Sequence, residues 1–167
     1  RFETEVTAKD TLTKTGKDEL TFLFTANLGE PIRPLLKVAS GGELSRVALA
    51  IKTVLLNASG VPTMVFDEID TGVGGVTAQK MAEKIAVIAK VGQVLCITHL
   101  PQIASFADRH LLIRKESTGG RTSTGLTVLD EEGRIQELMR MTVGDNVSEV
   151  AYANAKELLA AAAKNKQ

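Results

Sequence analysis

The sequence predicts an α/β fold in which a partly parallel sheet is flanked by helices. Short apolar runs alternate with segments of helical periodicity through the middle of the chain, a pattern typical of strand–helix–strand units. Both apolar runs end in polar residues, and in such sheets functional sites form at the carboxyl ends of the strands. No repeat or linker divides the 167 residues, so we expect residues 1–167 to form one lobe of ordinary domain size.

The beginning of the chain is predicted to be rich in strands. Residues 2–8 form a weak strand, and residues 19–26 form a better one because they contain β-branched and aromatic side chains. Residues 27–38 carry one glycine and two prolines and are predicted to be loop. The chain opens at Arg1 without a methionine, and we expect it to be a fragment or a processed chain.

Helices and strands alternate after this loop. Apolar side chains recur at helical spacing in residues 43–57, which predicts a helix that the Gly60-Val61-Pro62 turn stops. The remaining predicted elements are a buried strand at Thr63–Phe66, a helix at residues 76–89, a buried strand at 93–98, a short helix at 100–107, a hairpin pairing 110–115 with 126–129 across Gly119-Gly120, and closing helices at 131–142 and 147–164.

Composition limits the functions that the chain can have. Hydrophobic residues make up 44% and charged residues 24%, which suits a packed core under an ordinary surface. Twenty basic residues balance twenty acidic ones, so a strongly basic surface for binding nucleic acid is not expected. A local basic patch is still compatible with this composition. The single cysteine, Cys96, cannot form an internal disulfide and is expected to be a buried side chain of an intracellular protein. No apolar run approaches the ~20 residues of a membrane span, so no membrane partner is expected.

The start of the first predicted helix is marked by four residues, Ser40, Gly41, Gly42 and Glu43. The two glycines leave the backbone uncovered, and the first N–H groups of a helix lack internal partners, so a phosphate is favoured there. The Ser40 hydroxyl adds a donor. The same residues also fit an ordinary helix start, with Ser40 as the cap and the glycines as a turn.

Asp67 and Glu68 follow the first apolar strand. Adjacent carboxylates at the end of a buried strand are costly to bury without partners. The Mg²⁺ of a bound nucleotide would give Asp67 a partner, directly or through water. Glu68 would then be placed to orient or deprotonate a water that attacks the γ-phosphate. A strand that simply ends at the surface in acids also fits.

Two further features accompany these acids. The glycine-rich segment from Asp70 to Gly75 would allow close approach to a ligand or a second chain, and it is also typical of a plain strand-to-helix turn. His99 follows the second strand at the same sheet edge, where its imidazole would reach a phosphate or a positioned water, although a lone histidine is more often structural. His110 has no predicted role.

Other chemistries lack the residues they need. No cysteine and histidine set has zinc spacing, and the Gly-x-Ser-x-Gly elbow of a nucleophilic serine is absent. Gly16-Lys17 is followed by Asp18 and has no glycine five positions before it, so it is not a phosphate-binding loop.

The order of these features resembles the second half of an ABC-type nucleotide-binding domain. Ser40 to Glu43 is similar to the signature motif, residues 63–68 to Walker B with its catalytic glutamate, Asp70 to the D-loop, and His99 to the switch histidine. Glu43 and Ile69 replace the glutamine and proline that transporters usually carry. Three strings resemble the RecN family of bacterial DNA-repair ATPases, namely KVASGGELSR from residue 37, FDEIDTGVGG from residue 66 and THLPQIA from residue 98. The resemblance covers about residues 16–159.

This resemblance implies an SMC-like ATPase head, dependent on ATP and Mg²⁺, that serves double-strand break repair and recombination in the bacterial cytoplasm at the nucleoid. Two identical heads would sandwich two ATP molecules. This chain would supply Asp67 and Glu68 to one site and Ser40, Gly41 and Gly42 to the opposite one. Asp70 would lie at the dimer seam and His99 near the γ-phosphate. The secondary members of the site would be Glu43, Arg46 and Gln102.

The family's Walker A loop lies in an N-terminal lobe that a long coiled coil separates from this half. The resemblance therefore implies that this chain is the C-terminal lobe of the head, with the Walker A lobe, a second head and DNA as partners in the complete protein. Without Walker A, the isolated chain is expected to be inactive. Two alternatives stay open: a head lobe of another SMC-type or ABC-type ATPase acting in chromosome organisation, or a non-enzymatic interaction half.

Overall fold

The computed structural model of the chain describes residues 1–27, 29–55, 60–118, 121–146 and 148–166. The strands in these residues form three sheets: an antiparallel sheet in the order β1-β2-β3, a parallel pair β4-β5, and an antiparallel pair β6-β7. This mixture confirms the predicted α/β class and its partly parallel sheet. The elements are β1 (Phe2–Thr13), β2 (Gly16–Phe24), β3 (Arg33–Pro34), α1 (Leu35–Val38), α2 (Gly41–Val54), β4 (Thr63–Phe66), α3 (Gly75–Ala89), β5 (Gln93–Cys96), α4 (Pro101–Ala104), β6 (Leu111–Thr118), β7 (Arg121–Val128), α5 (Glu131–Val143) and α6 (Glu149–Asn165).

β1 and β2 form a long antiparallel ribbon. Phe2 pairs with Phe24 at one end, and Thr13 pairs with Gly16 at the tight turn. Gly16 has a φ of 107°, a left-handed conformation that glycine adopts without strain. β1 therefore continues five residues beyond the predicted 2–8, with a regular register from Phe2 to Ala8, an irregularity between Ala8 and Thr13, and a last pair at the turn.

The prediction of loop for residues 27–38 was wrong in its second half. Arg33–Pro34 pairs with β2 as the edge strand β3, where the missing N–H of a proline does no harm. α1 follows at once, and its first residue, Leu35, is buried. Burial of the Leu35 side chain therefore favours a short helix here despite the turn-forming residues around it.

The parallel pair β4-β5 is covered on one face only. Phe66 of β4 belongs to the main core, and the partly buried Met64, Val94 and Cys96 pack against that core on the same face. The prediction that both strands are buried was wrong for the other face, where Val65 and Leu95 are 63% and 44% exposed. The reason is that, within the described ranges, β4 and β5 pair only with each other and no element lies over this second face.

Two cores hold the helices in place. The main core joins α2, α3 and α4 to β4, and its fully buried members include Ile69 and Ile88. A second core lies between α5 and α6, where Leu138 packs among the small side chains Ala151 and Ala155. No helix of the described residues is both long enough and apolar enough to span a membrane.

Element bounds differ from the prediction mainly at the ends. α2 begins at Gly41, two residues early, and its predicted end at residue 57 falls outside the described residues. β5 ends at Cys96, short of residue 98, and α4 is limited to Pro101–Ala104. The β6-β7 hairpin is longer than predicted, while its Gly119-Gly120 turn lies outside the described residues.

Candidate functional site

The polar residues that follow β4 and β5 lie at the same end of the parallel pair. Phe66 and Cys96 are partners in the register, and the Ile97 N–H donates to the Phe66 carbonyl at 3.0 Å. The chain continues to Asp67 on one side and to Thr98 on the other. The register therefore places the two predicted groups of site residues next to each other.

Asp70 is the centre of this contact. Its Oδ2 accepts the Thr98 hydroxyl at 2.6 Å and the His99 backbone N–H at 2.8 Å. His99 Nδ1 lies 3.0 Å from the same oxygen. The Asp70 residue is 3% exposed, whereas the His99 side chain is 71% exposed. The carboxylate that was predicted for a dimer seam is thus turned inward within this chain.

The surroundings of Asp70 change the acidity of two groups. Burial alone would raise the pKa of Asp70, but the hydrogen bonds from Thr98 and His99 and the charge of the His99 imidazole bring that pKa below its usual value. Burial and the negative charges of Asp70 and Asp67 raise the pKa of the Cys96 thiol to about 11. Asp70 is therefore an anion in the folded chain at neutral pH, and Cys96 is a neutral thiol.

The start of α2 carries a complete capping box. Ser40 Oγ accepts the Glu43 backbone N–H at 3.3 Å, and Glu43 Oε2 accepts the Ser40 backbone N–H at 2.8 Å and the Ser40 hydroxyl at 3.0 Å. These bonds from the Ser40 backbone and side chain lower the pKa of Glu43. The ordinary role of Ser40 as a helix cap is therefore present, and it coexists with the exposed position that a ligand role requires.

The two glycines after Ser40 lie against the segment that follows β4. A Cβ atom added to Gly42 would stand 2.8 Å from the Glu68 carbonyl oxygen and 3.2 Å from the Thr71 Cβ. A Cβ atom on Gly41 would stand 2.6 Å from Glu68 Oε2. The prediction that both glycines leave the backbone uncovered was wrong for Gly42, which is buried because the loop packs directly on the helix.

Glu68 has an unusual backbone conformation, with a φ of 56°. Few residues other than glycine adopt this left-handed region, and such residues are concentrated at functional sites. The preceding carboxylate, Asp67 Oδ1, accepts the Glu68 backbone N–H at 2.9 Å. Both side chains are exposed, so they can reach a ligand from the sheet edge.

Two side chains of α2 hold the same segment through its carbonyl groups. The Ser45 hydroxyl donates to the Asp67 carbonyl at 2.8 Å. Arg46 donates to the Ile69 carbonyl at 3.2 Å and to the Thr71 carbonyl at 2.9 Å. Arg46, predicted as a secondary site member, therefore supports the loop, and Ser45 does so without having been predicted. The spacing of Ser45 one helical turn after Gly41 was the available signal.

Gln102 stands apart from these contacts. It lies in the short helix α4, and its Oε1 is buried without a hydrogen-bond partner among the described residues. Thr98, which the sequence placed only at the end of a strand, takes the position nearest to Asp70. A threonine hydroxyl at a strand end is too common to have signalled this role.

The residues present fit a Mg²⁺ ion that arrives with a nucleotide, and they do not fit a metal site made by protein side chains alone. Within the described residues no group of three or more histidine, cysteine, aspartate or glutamate side chains is placed to hold a metal. Asp67 offers one exposed carboxylate with a free oxygen, since Oδ1 alone takes the Glu68 N–H. Mg²⁺ is commonly held by one or two carboxylates together with water and phosphate oxygens.

Comparisons with known proteins give a consistent result. No family model matches the chain. DNA repair proteins RecN from Halalkalibacterium halodurans, Treponema pallidum and Bacillus subtilis are 46%, 50% and 50% identical to it over 95%, 91% and 89% of its length. The chain spans only 28%, 26% and 26% of these relatives.

A solved structure from work on "ATP-driven dimerization and DNA stimulated activation of SMC ATPases" is also similar. It shares 20% sequence identity, covers 84% of this chain and 81% of its own, and superposes with a TM-score of 0.48. This likeness is weak, and the family assignment rests on the sequence relatives. At 46% to 50% identity over about nine tenths of its length, the chain belongs to the RecN family of DNA repair proteins, as a segment of about a quarter of their length.

Proposed function

We propose that the chain is the C-terminal lobe of an ATP-hydrolysing head in an SMC-like DNA repair protein. One observation carries the proposal: the segments after β4 and β5 and the start of α2, which hold all four predicted nucleotide-site features, are joined by direct contacts. Glu68 lies against Gly41, and Asp70 lies against His99. The names of the relatives support a role in DNA repair for the complete protein.

The chemistry proposed is the attack of water on the γ-phosphate of ATP. Asp67 would hold Mg²⁺, directly or through water, and the ion would neutralise charge on the phosphates. Glu68 would accept a proton from the attacking water, and His99, with both ring nitrogens protonated, would donate a hydrogen bond from Nε2 to the γ-phosphate. Their positions at the ends of adjacent parallel strands suit this division of roles.

In this proposal the start of α2 serves the ATP of a second head. Ser40, Gly41 and Gly42 would cap the opposing γ-phosphate with backbone N–H groups and a hydroxyl. Glu68 Oε2 now lies where a side chain on Gly41 would stand. Closure of two heads would therefore require the Glu68 carboxylate to turn away from its own α2 and toward its own nucleotide.

The missing Walker A lobe is proposed to cover the open face of β4-β5. Val65, Leu95 and Ile97 are 63%, 44% and 54% exposed on that face, an apolar surface that a neighbouring sheet strand or helix would bury. Without the nest of N–H groups and the lysine of Walker A, the isolated chain would bind ATP poorly and would not hydrolyse it. DNA would be engaged by the complete protein at the bacterial nucleoid.

Ser40→Arg tests the capping of the opposing nucleotide. In a complete RecN protein that contains this chain, with hydrolysis blocked by Glu68→Gln, we expect the variant to bind ATP and to stay monomeric at the heads. The bulky cation would fill the space meant for the second γ-phosphate. Sedimentation velocity with and without ATP measures the association.

Ser148→Arg is the matched control for this experiment. Ser148 caps α6 by accepting the Ala151 N–H at 3.2 Å, so this change also removes a helix cap and adds the same charge, but outside the site. The control should still dimerise with ATP. If Ser40→Arg dimerises as well as Ser148→Arg does, the start of α2 does not cap a second nucleotide.

A further inference from the structure

We propose that Asp70 is a positioning residue for His99, which it holds with Nδ1 protonated and Nε2 directed away from the protein interior. The inference rests on the proposed function, in which His99 contacts the γ-phosphate. It replaces an interfacial role for the Asp70 carboxylate with one inside the chain. It also assigns the proton on the imidazole, which the sequence left open.

Three contacts on one oxygen define the arrangement. Asp70 Oδ2 receives the Thr98 hydroxyl at 2.6 Å and the His99 backbone N–H at 2.8 Å, and it lies 3.0 Å from His99 Nδ1. A carboxylate accepts and does not donate, so Nδ1 must carry the proton in this contact. The hydrogen bond at one ring nitrogen determines which tautomer a neutral histidine adopts.

The exposure of the two partners differs in the way that positioning requires. The Asp70 residue is 3% exposed and is held by two bonds besides the imidazole, so its oxygen is a fixed point. The His99 side chain is 71% exposed, which leaves the far side of the ring open to a ligand. With the ring oriented by Nδ1, Nε2 can accept a hydrogen bond when neutral and donate one when protonated.

A purely structural role for Asp70 would predict something different. Asp70 follows β4, and Thr98 and His99 follow β5, so the same bonds also tie two loops together. Such an attachment of the loops depends on the Thr98 hydroxyl and the His99 backbone N–H, and it does not depend on which nitrogen of the His99 imidazole carries the proton. The tautomer of His99 therefore distinguishes positioning from simple loop attachment.

The experiment is ¹⁵N NMR of the histidine side chains in this chain. The sequence contains two histidines, so His110 serves as the internal reference. At a pH where the imidazoles are neutral, we expect His99 to show a protonated Nδ1 and an unprotonated Nε2. In Asp70→Ala no side-chain acceptor faces Nδ1, and we expect the tautomer to change to protonated Nε2. Thr98→Val removes one bond to Asp70 without touching the ring, and we expect it to keep the wild-type tautomer.

Two results would overturn the positioning role: protonated Nε2 in the wild type, or an unchanged His99 pattern in Asp70→Ala. A kinetic comparison in a complete RecN protein complements the spectra. We expect Asp70→Ala to lower kcat about tenfold or more with little change in KM for ATP, since a ring that is no longer held in place affects the reaction more than binding. An unchanged kcat in Asp70→Ala would also overturn the role. If His99→Ala itself hydrolysed ATP normally, the proposed contact of His99 with the phosphate would fail, while the NMR result would still report on Asp70.

Discussion

At the residue scale, the two glycines at the start of α2 differ in what their missing side chains avoid. Gly42 is surrounded by the backbone oxygen of Glu68 and the side chains of Arg46 and Thr71. Gly41 faces the far end of the Glu68 side chain, which can rotate away. Gly42 therefore meets a packing requirement, whereas Gly41 contacts the side chain of a candidate catalytic residue.

Gly42→Ala tests the packing requirement. Alanine is the better helix former, but its Cβ would stand 2.8 Å from the Glu68 carbonyl oxygen, and a backbone atom cannot move aside cheaply. We expect the free energy of unfolding to fall by about 1–3 kcal/mol, the usual cost of overpacking. Urea denaturation of the chain measures the change.

Gly74→Ala is the control for this substitution. Gly74 has an extended backbone with a φ of −168°, and no atom lies within 4 Å of its added Cβ. We expect this variant to match the wild type or to be slightly more stable. Equal stability of Gly42→Ala and Gly74→Ala would show that the loop does not pack on α2 as described.

At the element scale, the ends of two parallel strands are joined by one carboxylate. Asp70, three residues after Asp67, bonds to Thr98 and His99 beyond β5. The sequence predicted β4 with its observed bounds, because a four-residue run with three apolar side chains stands between a proline turn and two acids. Nothing in the pattern revealed that β5 would end early at Cys96, or that Thr98 and His99 beyond that end would bond to Asp70.

This contact predicts a pH dependence of stability. The pKa of Asp70 in the folded chain lies below its ordinary value of 3.8. A lowered folded-state pKa stabilises the fold above the unfolded-state pKa, and that contribution is lost as the pH falls through the folded-state pKa. We therefore expect Asp70→Asn to lose less of its free energy of unfolding than the wild type does when the pH falls from neutral to about 3.

Urea denaturation at a series of pH values tests this expectation. Glu137, whose pKa is lowered first by its bond to Arg140 and also by nearby charges, contributes to acid sensitivity in both proteins. The difference between the two curves therefore isolates Asp70. Parallel curves for the wild type and Asp70→Asn would mean that the carboxylate gains no stabilisation from Thr98 and His99.

At the scale of the whole molecule, the chain has one side that is packed and one that is open. Helices cover a single face of the parallel pair, and the apolar Val65, Leu95 and Ile97 remain exposed on the other. The apolar runs alone suggested strands buried on both faces. They could not show that one face stays uncovered by the described elements, because hydrophobicity reports the need for burial and not the partner that supplies it.

The candidate site could be located from the sequence but not described from it. Alternation of strands and helices predicted that Glu68 and His99 lie at one sheet edge, and the register of β4 and β5 has that arrangement. The contact between Glu68 and Gly41 and the inward turn of Asp70 depend on loop conformation. A φ of 56° at Glu68 is one such detail that periodicity does not encode.

The most direct test of the central claim is the rate of ATP hydrolysis by a complete RecN protein carrying Glu68→Gln. Glutamine keeps the shape of the side chain but cannot accept the proton of water, so we expect turnover to fall at least about a hundredfold while ATP binding persists and ATP-bound dimers accumulate. Glu83→Gln, a change on α3 away from the sheet edge, should leave turnover unchanged. Near-normal hydrolysis by Glu68→Gln would contradict the assignment of the catalytic base and, with it, the ATPase site built at the ends of β4 and β5.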